Sequence, residues 1–320
     1  MVTGVWAAVR GGHRDVLIPV VVAAWIPVTL LADAGASLAQ QRLLGLVTWA
    51  ILLLLLWGES PLVRAQTAVV IGFATVVEYT FSPLLEVYTY RLDNVPAFVP
   101  PGHGLVYLAA FALGRSRLFV DHARGLVTAT VVLGGGYALW GLSPLAPRPD
   151  VLGAFWYVCL LGFLAWGRSR LLYVGAFVVV TYLEVVGTWV GTWTWSAYDP
   201  TGLVAMGNPP SGAAGGYGWF DLVALAVAPG LLRVMSRLRG RVRPRQPAPD
   251  NTRSDSSWSR PLELTALPPA MAGPPSNAEM RPPDSVTIGT SAAMSQGFSS
   301  GSTAMSTAPS ATSMCDQKSP

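Results

Sequence analysis

Two glutamates stand inside apolar runs of this chain, and an aromatic–threonine–aromatic triplet follows each. Thr181-Tyr182-Leu183-Glu184 leads to Trp193-Thr194-Trp195, and Thr75-Val76-Val77-Glu78 leads to Tyr88-Thr89-Tyr90. A carboxylate within a membrane span is costly, so it faces the bundle interior and is either paired or neutral. Two such acids in one apolar site cannot both ionise cheaply, which leaves one proton donor and one ionised partner. General acid–base chemistry uses that division. Thr75 and Thr181 precede the glutamates by three residues, on the same helical face and within reach of the carboxyl groups. The alternative is a hydrogen bond that only holds two halves of a bundle together. Asp221 is a third candidate acid, alone in the last apolar run; its counterpart in the first copy is Phe111.

Other residues could shape a site around these acids. Pro100-Pro101-Gly102-His103 and Asn208-Pro209-Pro210-Ser211 read as loops that open helices. Proline suits a first helical turn, and the free N–H groups there favour anions or polar oxygens. His103 and Asn208 could add side-chain contacts. Tyr88, Tyr90, Trp193 and Trp195 have two readings: an aromatic belt at the membrane interface, or the lining of a site for an isoprenoid, an acyl chain or a carbocation.

The two copies share a frame. Glu78 lies 14 residues beyond Arg64, and Glu184 lies 14 beyond Arg170. The triplets, the double prolines, Tyr107 with Tyr217, and Trp57-Gly58-Glu59-Ser60 with Trp166-Gly167-Arg168-Ser169 recur in the same order. The pattern predicts an internal duplication of about a hundred residues. Gly187 and Gly191 form a small-xxx-small pair that would let another helix approach.

These residues need apolar helices to carry them, and the composition supplies them. Hydrophobic residues make up 52% of the chain and charged residues 12%, about half the charge of a soluble domain. The spans predicted are 16–32, 43–57, 63–81, 101–113, 126–142, 151–166, 171–192 and 213–232. The first, with small-x-small residues after it, could be a cleaved signal peptide; a retained helix fits the repeat better. The fold expected is an all-α polytopic bundle of about eight transmembrane helices in two parallel four-helix repeats, 16–118 and 119–240. A head, 1–15, precedes them, and a basic juxtamembrane segment with a disordered tail rich in Ser, Pro, Thr and Ala, 241–320, follows. With both ends cytoplasmic, the inner segments hold 14 arginines and the outer loops only Arg42, Arg91 and Arg148, as the positive-inside rule requires. The run from Arg233 to Arg245 should rest on anionic headgroups. Those arginines sit at the ends of apolar runs, so the net charge of +4 does not point to nucleic acid. Cys159 and Cys315 make no disulfide framework, and the three histidines have no metal spacing; no cofactor is expected.

The phrase Glu184-x-x-Gly187-x-x-x-Gly191-x-Trp193-x-Trp195 resembles the Glu-Gly-Gly-aromatic-x-aromatic phrase of integral-membrane carotenoid-biosynthesis proteins of the hydratase type. Elsewhere the chain is similar to polytopic membrane proteins of high-GC bacteria. The resemblance, over about a dozen residues, implies a helical membrane enzyme acting on a long polyene, with Glu184 protonating a double bond. Three functions stay open on the sequence. One is a membrane enzyme acting on an isoprenoid or lipid. Another is a secondary transporter or channel with the glutamates as its proton or ion site. The third is a scaffold that recruits a partner through its tail.

Overall fold

The computed structural model describes the backbone of residues 2–242 and the side chains of 12–238. The tail beyond 242 and the side chains of Arg239 to Arg245 lie outside the described residues. The helices are α1 (Val2–Asp33), α2 (Leu38–Trp57), α3 (Pro61–Tyr79), α4 (Val99–Arg115), α5 (Arg117–Asp121), α6 (Ala123–Leu142), α7 (Val151–Trp166), α8 (Arg170–Val190) and α9 (Ala213–Val242). Among the described residues, six segments are long and apolar enough to cross a membrane: Gly12–Asp33, Leu38–Trp57, Pro61–Leu84, Ala123–Leu142, Arg170–Val190 and Ala213–Leu238. The chain is thus a mostly helical, polytopic bundle. α7 is apolar but has 16 residues, and α4 has 17.

Two features depart from the expectation. Helix α1 is already formed at Val2, well before residue 16, and it runs on through Pro19 and Pro27. The bundle also contains strands. β1 (Tyr88–Tyr90) and β2 (Trp193–Trp195) pair antiparallel, Tyr88 opposite Trp195, Thr89 opposite Thr194, and Tyr90 opposite Trp193. Each triplet is too short to announce a strand alone. Pairing across the bundle makes it one, and the aromatics then share the buried face.

Helix α4 sits at the centre. Its residues from His103 to Ala110 are buried without a break, so it has no lipid-facing stripe and packs against α1, α2, α3 and α8. The crossing with α8 is close. A Cβ at Gly175 would meet the Ala110 backbone, and one at Gly114 would meet that of Leu171. Helix α9 in turn lies against α3, α7 and α8. The stripe Ile18, Val22, Ile26 and Leu30 recurs every four residues and is buried. It seats α1 against α4 and α8, so the first apolar run is part of the bundle.

At one end of the bundle a charge cluster closes the first four helices. Arg115, at the end of α4, grips Glu59 through two bonds of 2.7 Å and also bonds Asp15. Arg14 adds a 3.5 Å contact to Glu59, which is 6% exposed. The Arg115 guanidinium beside Glu59 holds its carboxyl below the usual carboxylate range. A lowered folded-state value means that this stability is present above the unfolded value of about 4.3 and is lost as pH falls through the folded one. Glu59→Gln should lower the unfolding free energy by about 2 kcal/mol at neutral pH and remove part of the acid sensitivity. Thermal melts in detergent at pH 7 and pH 3 check both.

Candidate functional site

At the opposite end, Glu78 on α3 and Glu184 on α8 point into one cavity. Both are buried, at 5% and 3% exposure. Each takes hydrogen bonds from the triplet that follows it. The hydroxyls of Tyr88 and Tyr90 donate to Glu78 Oε2 at 3.0 and 2.8 Å. The indole N–H groups of Trp193 and Trp195 donate to Glu184 Oε2 at 3.1 Å each. A third partner comes from a later helix. His103 Nε2 of α4 meets Glu78 Oε1 at 2.8 Å, and the Tyr217 hydroxyl of α9 reaches Glu184 Oε1 at 3.4 Å. The imidazole of His103 stacks on Tyr217 at 5.2 Å between centroids, joining the two clusters.

Local chemistry explains how the triplets come to face back. Pro83 cannot donate to the helical ladder, and α3 widens into a π-helical turn at Thr80–Leu84 before the chain turns to β1. α8 ends at Gly191, whose φ of 79° suits glycine. Gly187 has another task. A Cβ there would run into the Trp193 ring, so the glycine pair seats an indole and turns the chain, where the sequence suggested a helix crossing. Gly187→Ala should push Trp193 off Glu184 and cost about 2 kcal/mol. A shift in tryptophan emission together with a lower melting temperature would show it.

The aromatics are therefore not an interfacial belt. Tyr88, Tyr90, Trp193 and Trp195 are each at least nine-tenths buried, because their polar atoms satisfy buried carboxylates. The threonines do not take part. Thr75 Oγ1 donates to the Ile71 carbonyl one turn back, and neither Thr75 nor Thr181 lines the cavity. For Thr75 the helix carbonyl one turn back is the partner instead of the carboxyl group. Asn208 works at one remove, its Oδ1 accepting the Trp195 backbone N–H at 3.1 Å. Asp221 is 4% exposed and lies behind His103, on a second, small cavity rather than on the main one.

The expected anion at the start of α9 is the chain's own. Asp150, 2% exposed, caps α7 through the Gly153 N–H and also accepts the N–H groups of Gly207 and Ser211, at 2.9, 2.8 and 2.6 Å. Sequence reasoning missed it, although an Asp directly ahead of an apolar run is a helix-cap signal. It missed Tyr217 as a ligand too, for which the pairing with Tyr107 was the available hint.

The cavity measures about 270 Å³. Apart from the two acids, His103 and Tyr217, its walls are mainly aromatic and aliphatic, with Trp25, Phe73, Phe81, Trp156 and Trp219 among them. Among these lining residues, Phe73, Phe81 and Trp219 keep accessible surface, at 36%, 36% and 48%. No family model, no curated protein and no solved structure matches this chain.

Proposed function

We propose that the protein is a membrane-embedded enzyme that acts on an isoprenoid or another lipid by acid–base chemistry. The observation that carries this reading is one apolar cavity into which two differently bonded carboxyl groups and an imidazole converge. Glu184 is the acid. Both indoles occupy Oε2, leaving Oε1 with a single long contact at 3.4 Å, so Oε1 is where a proton is held and delivered. Glu78, with three bonds of 3.0 Å or less, is the ionised partner that takes a proton back. A double bond protonated by Glu184 becomes a cation, and the surrounding aromatic faces favour it. At about 270 Å³ the cavity is near the lower limit of small-molecule pockets. It takes the reacting end of a chain whose remainder lies in lipid beside Phe73 and Trp219.

The larger frame of this reading is a duplicated four-helix unit with eight spans, both ends cytoplasmic, and the site near the outer face. Three observations support it. β1 and β2 pair about the Thr89–Thr194 position. Each glutamate is bonded by its own triplet. The fourth helix of each half lies on the third of the other, α4 on α8 and α9 on α3. Arg233 and Arg237 are exposed at the opposite end of α9, where anionic headgroups would meet them. The same near-twofold plan favours a second reading, a transporter with the glutamates as its proton site.

Turnover in D2O separates the two. An acid that protonates a double bond leaves one deuterium on carbon per product molecule. Purified protein incubated with a panel of polyisoprenoids should yield such a product. A lipophile bound or moved by the protein but recovered without deuterium would remove the enzyme reading in favour of transport.

A further inference from the structure

Behind the main cavity lies a second one of about 10 Å³, and His103 forms part of the wall between them. Its ring stacks on Tyr217, which also lines both cavities. Nε2 is bonded to Glu78, whereas Nδ1 is buried and has no hydrogen-bond partner among the described residues. Two residues that line the small cavity carry buried polar atoms in the same condition, the Tyr107 hydroxyl and Asp221 Oδ2. All three residues are more than nine-tenths buried. Three orphaned polar atoms around a space of this size are uncommon, because each costs about 1–3 kcal/mol if left unpaired. The space matches one water molecule, which needs about 10–15 Å³ on this measure and two to four polar partners.

We infer that this cavity is a binding site for a single water that joins His103, Tyr107 and Asp221, and that Asp221 is the proton reserve for the Glu78 site. Asp221 forms no salt bridge among the described residues, and an isolated buried carboxyl keeps its proton. The transfer balances without any other reactant. Asp221 gives its carboxyl proton to the water, and the water gives one to His103 Nδ1. His103 then releases the Nε2 proton to Glu78 Oε1. Only O–H and N–H bonds change, and the imidazole ends as its other neutral tautomer. Tyr107 holds the water in place through a hydroxyl that can donate or accept. This inference rests on the acid–base reading. While the proton stays on Asp221, Glu78 is the ionised partner, and moving it along the relay makes Glu78 neutral, so the relay sets whether Glu78 can take a proton back. It also accounts for Asp221 facing away from the substrate cavity.

The test needs no substrate. Infrared spectra of the protein in lipid nanodiscs should show a protonated-carboxyl band that disappears in Asp221→Asn. On transfer to D2O that band should shift, and in His103→Phe the shift should slow by roughly a hundredfold. Nitrogen NMR of the His103 ring, with His13 and His122 replaced by Gln, should show an Nδ1 signal that moves in Tyr107→Phe and in Asp221→Leu. A band that survives Asp221→Asn, equal exchange with and without His103, or an Nδ1 signal unmoved by both variants would overturn the relay. A relay found intact in a protein that transfers no deuterium to lipid would overturn the catalytic reading alone.

Discussion

Glu184→Gln should reduce deuterium transfer to substrate by about a thousandfold while the protein folds, inserts and melts as before. The geometry makes this variant unusually clean. The glutamine carbonyl takes the place of Oε2 and still accepts both indole N–H groups at 3.1 Å. Its NH2 group takes the place of Oε1, opposite the Tyr217 oxygen at 3.4 Å, where it can donate. Shape and hydrogen bonding are therefore kept, and the stability change should stay within about 1 kcal/mol. Only the transferable proton is gone, and general acid catalysis contributes roughly 10²–10⁴. Glu78→Gln is less clean, because its amide must face either the two tyrosine hydroxyls or His103, and one side has to reorganise. Its activity should fall by about a hundredfold, with a measurable loss of stability. Full activity in Glu184→Gln, on any substrate the wild type turns over, would end the assignment of Glu184 as the acid.

How these side chains meet was only partly legible in the sequence. The two glutamates could be found because a carboxylate inside an apolar run stands out against its surroundings. The triplets could be found because they recur at nearly the same distance from each acid. Their direction could not. Whether Trp193 turns outward to an interface or inward to Glu184 depends on Gly187 leaving room for the ring and on Gly191 reversing the chain, and both are tertiary facts. Thr75 failed for a local reason, since its hydroxyl donates to the Ile71 carbonyl of its own helix. His103 was singled out for a loop it does not serve. One turn into α4 its ring reaches across to α3, which no spacing within the chain displays. Helix existence followed from hydropathy, whereas the central position of α4 did not. A short apolar helix reads the same whether it is buried on every side or spans a membrane at its edge.

Asp150 carries the largest expected effect on stability, and it lies outside the cavity altogether. Asp150→Ala should cost about 4 kcal/mol. It leaves three backbone N–H groups, those of Gly153, Gly207 and Ser211, without their acceptor in a place where Asp150 is 2% exposed. The glycines show how closely the loop is moulded to this carboxylate. A Cβ at Gly153 would collide with Asp150 Oδ2 and the Ser211 backbone, and one at Gly207 would lie 2.8 Å from Asp150 Cγ. No larger residue at 150 can fill the gap without moving the loop. The consequence reaches the site in two steps. The loop held by Asp150 includes Asn208, and Asn208 Oδ1 fixes the Trp195 backbone. Trp195 in turn donates to Glu184. Loosening the loop should therefore lower activity through geometry, not through loss of a proton. Asp150→Asn keeps one acceptor oxygen but sets an NH2 group against one of the three donors, so it should recover about half of the lost stability. Hydrogen exchange across 195–212 reads the difference. Protection there should collapse in the alanine variant, recover in part in asparagine, and stay at the wild-type level in Glu184→Gln. Wild-type protection in Asp150→Ala would mean that the loop is held by its prolines and the α9 contacts alone, and that Asp150 has no hold on the geometry of Glu184.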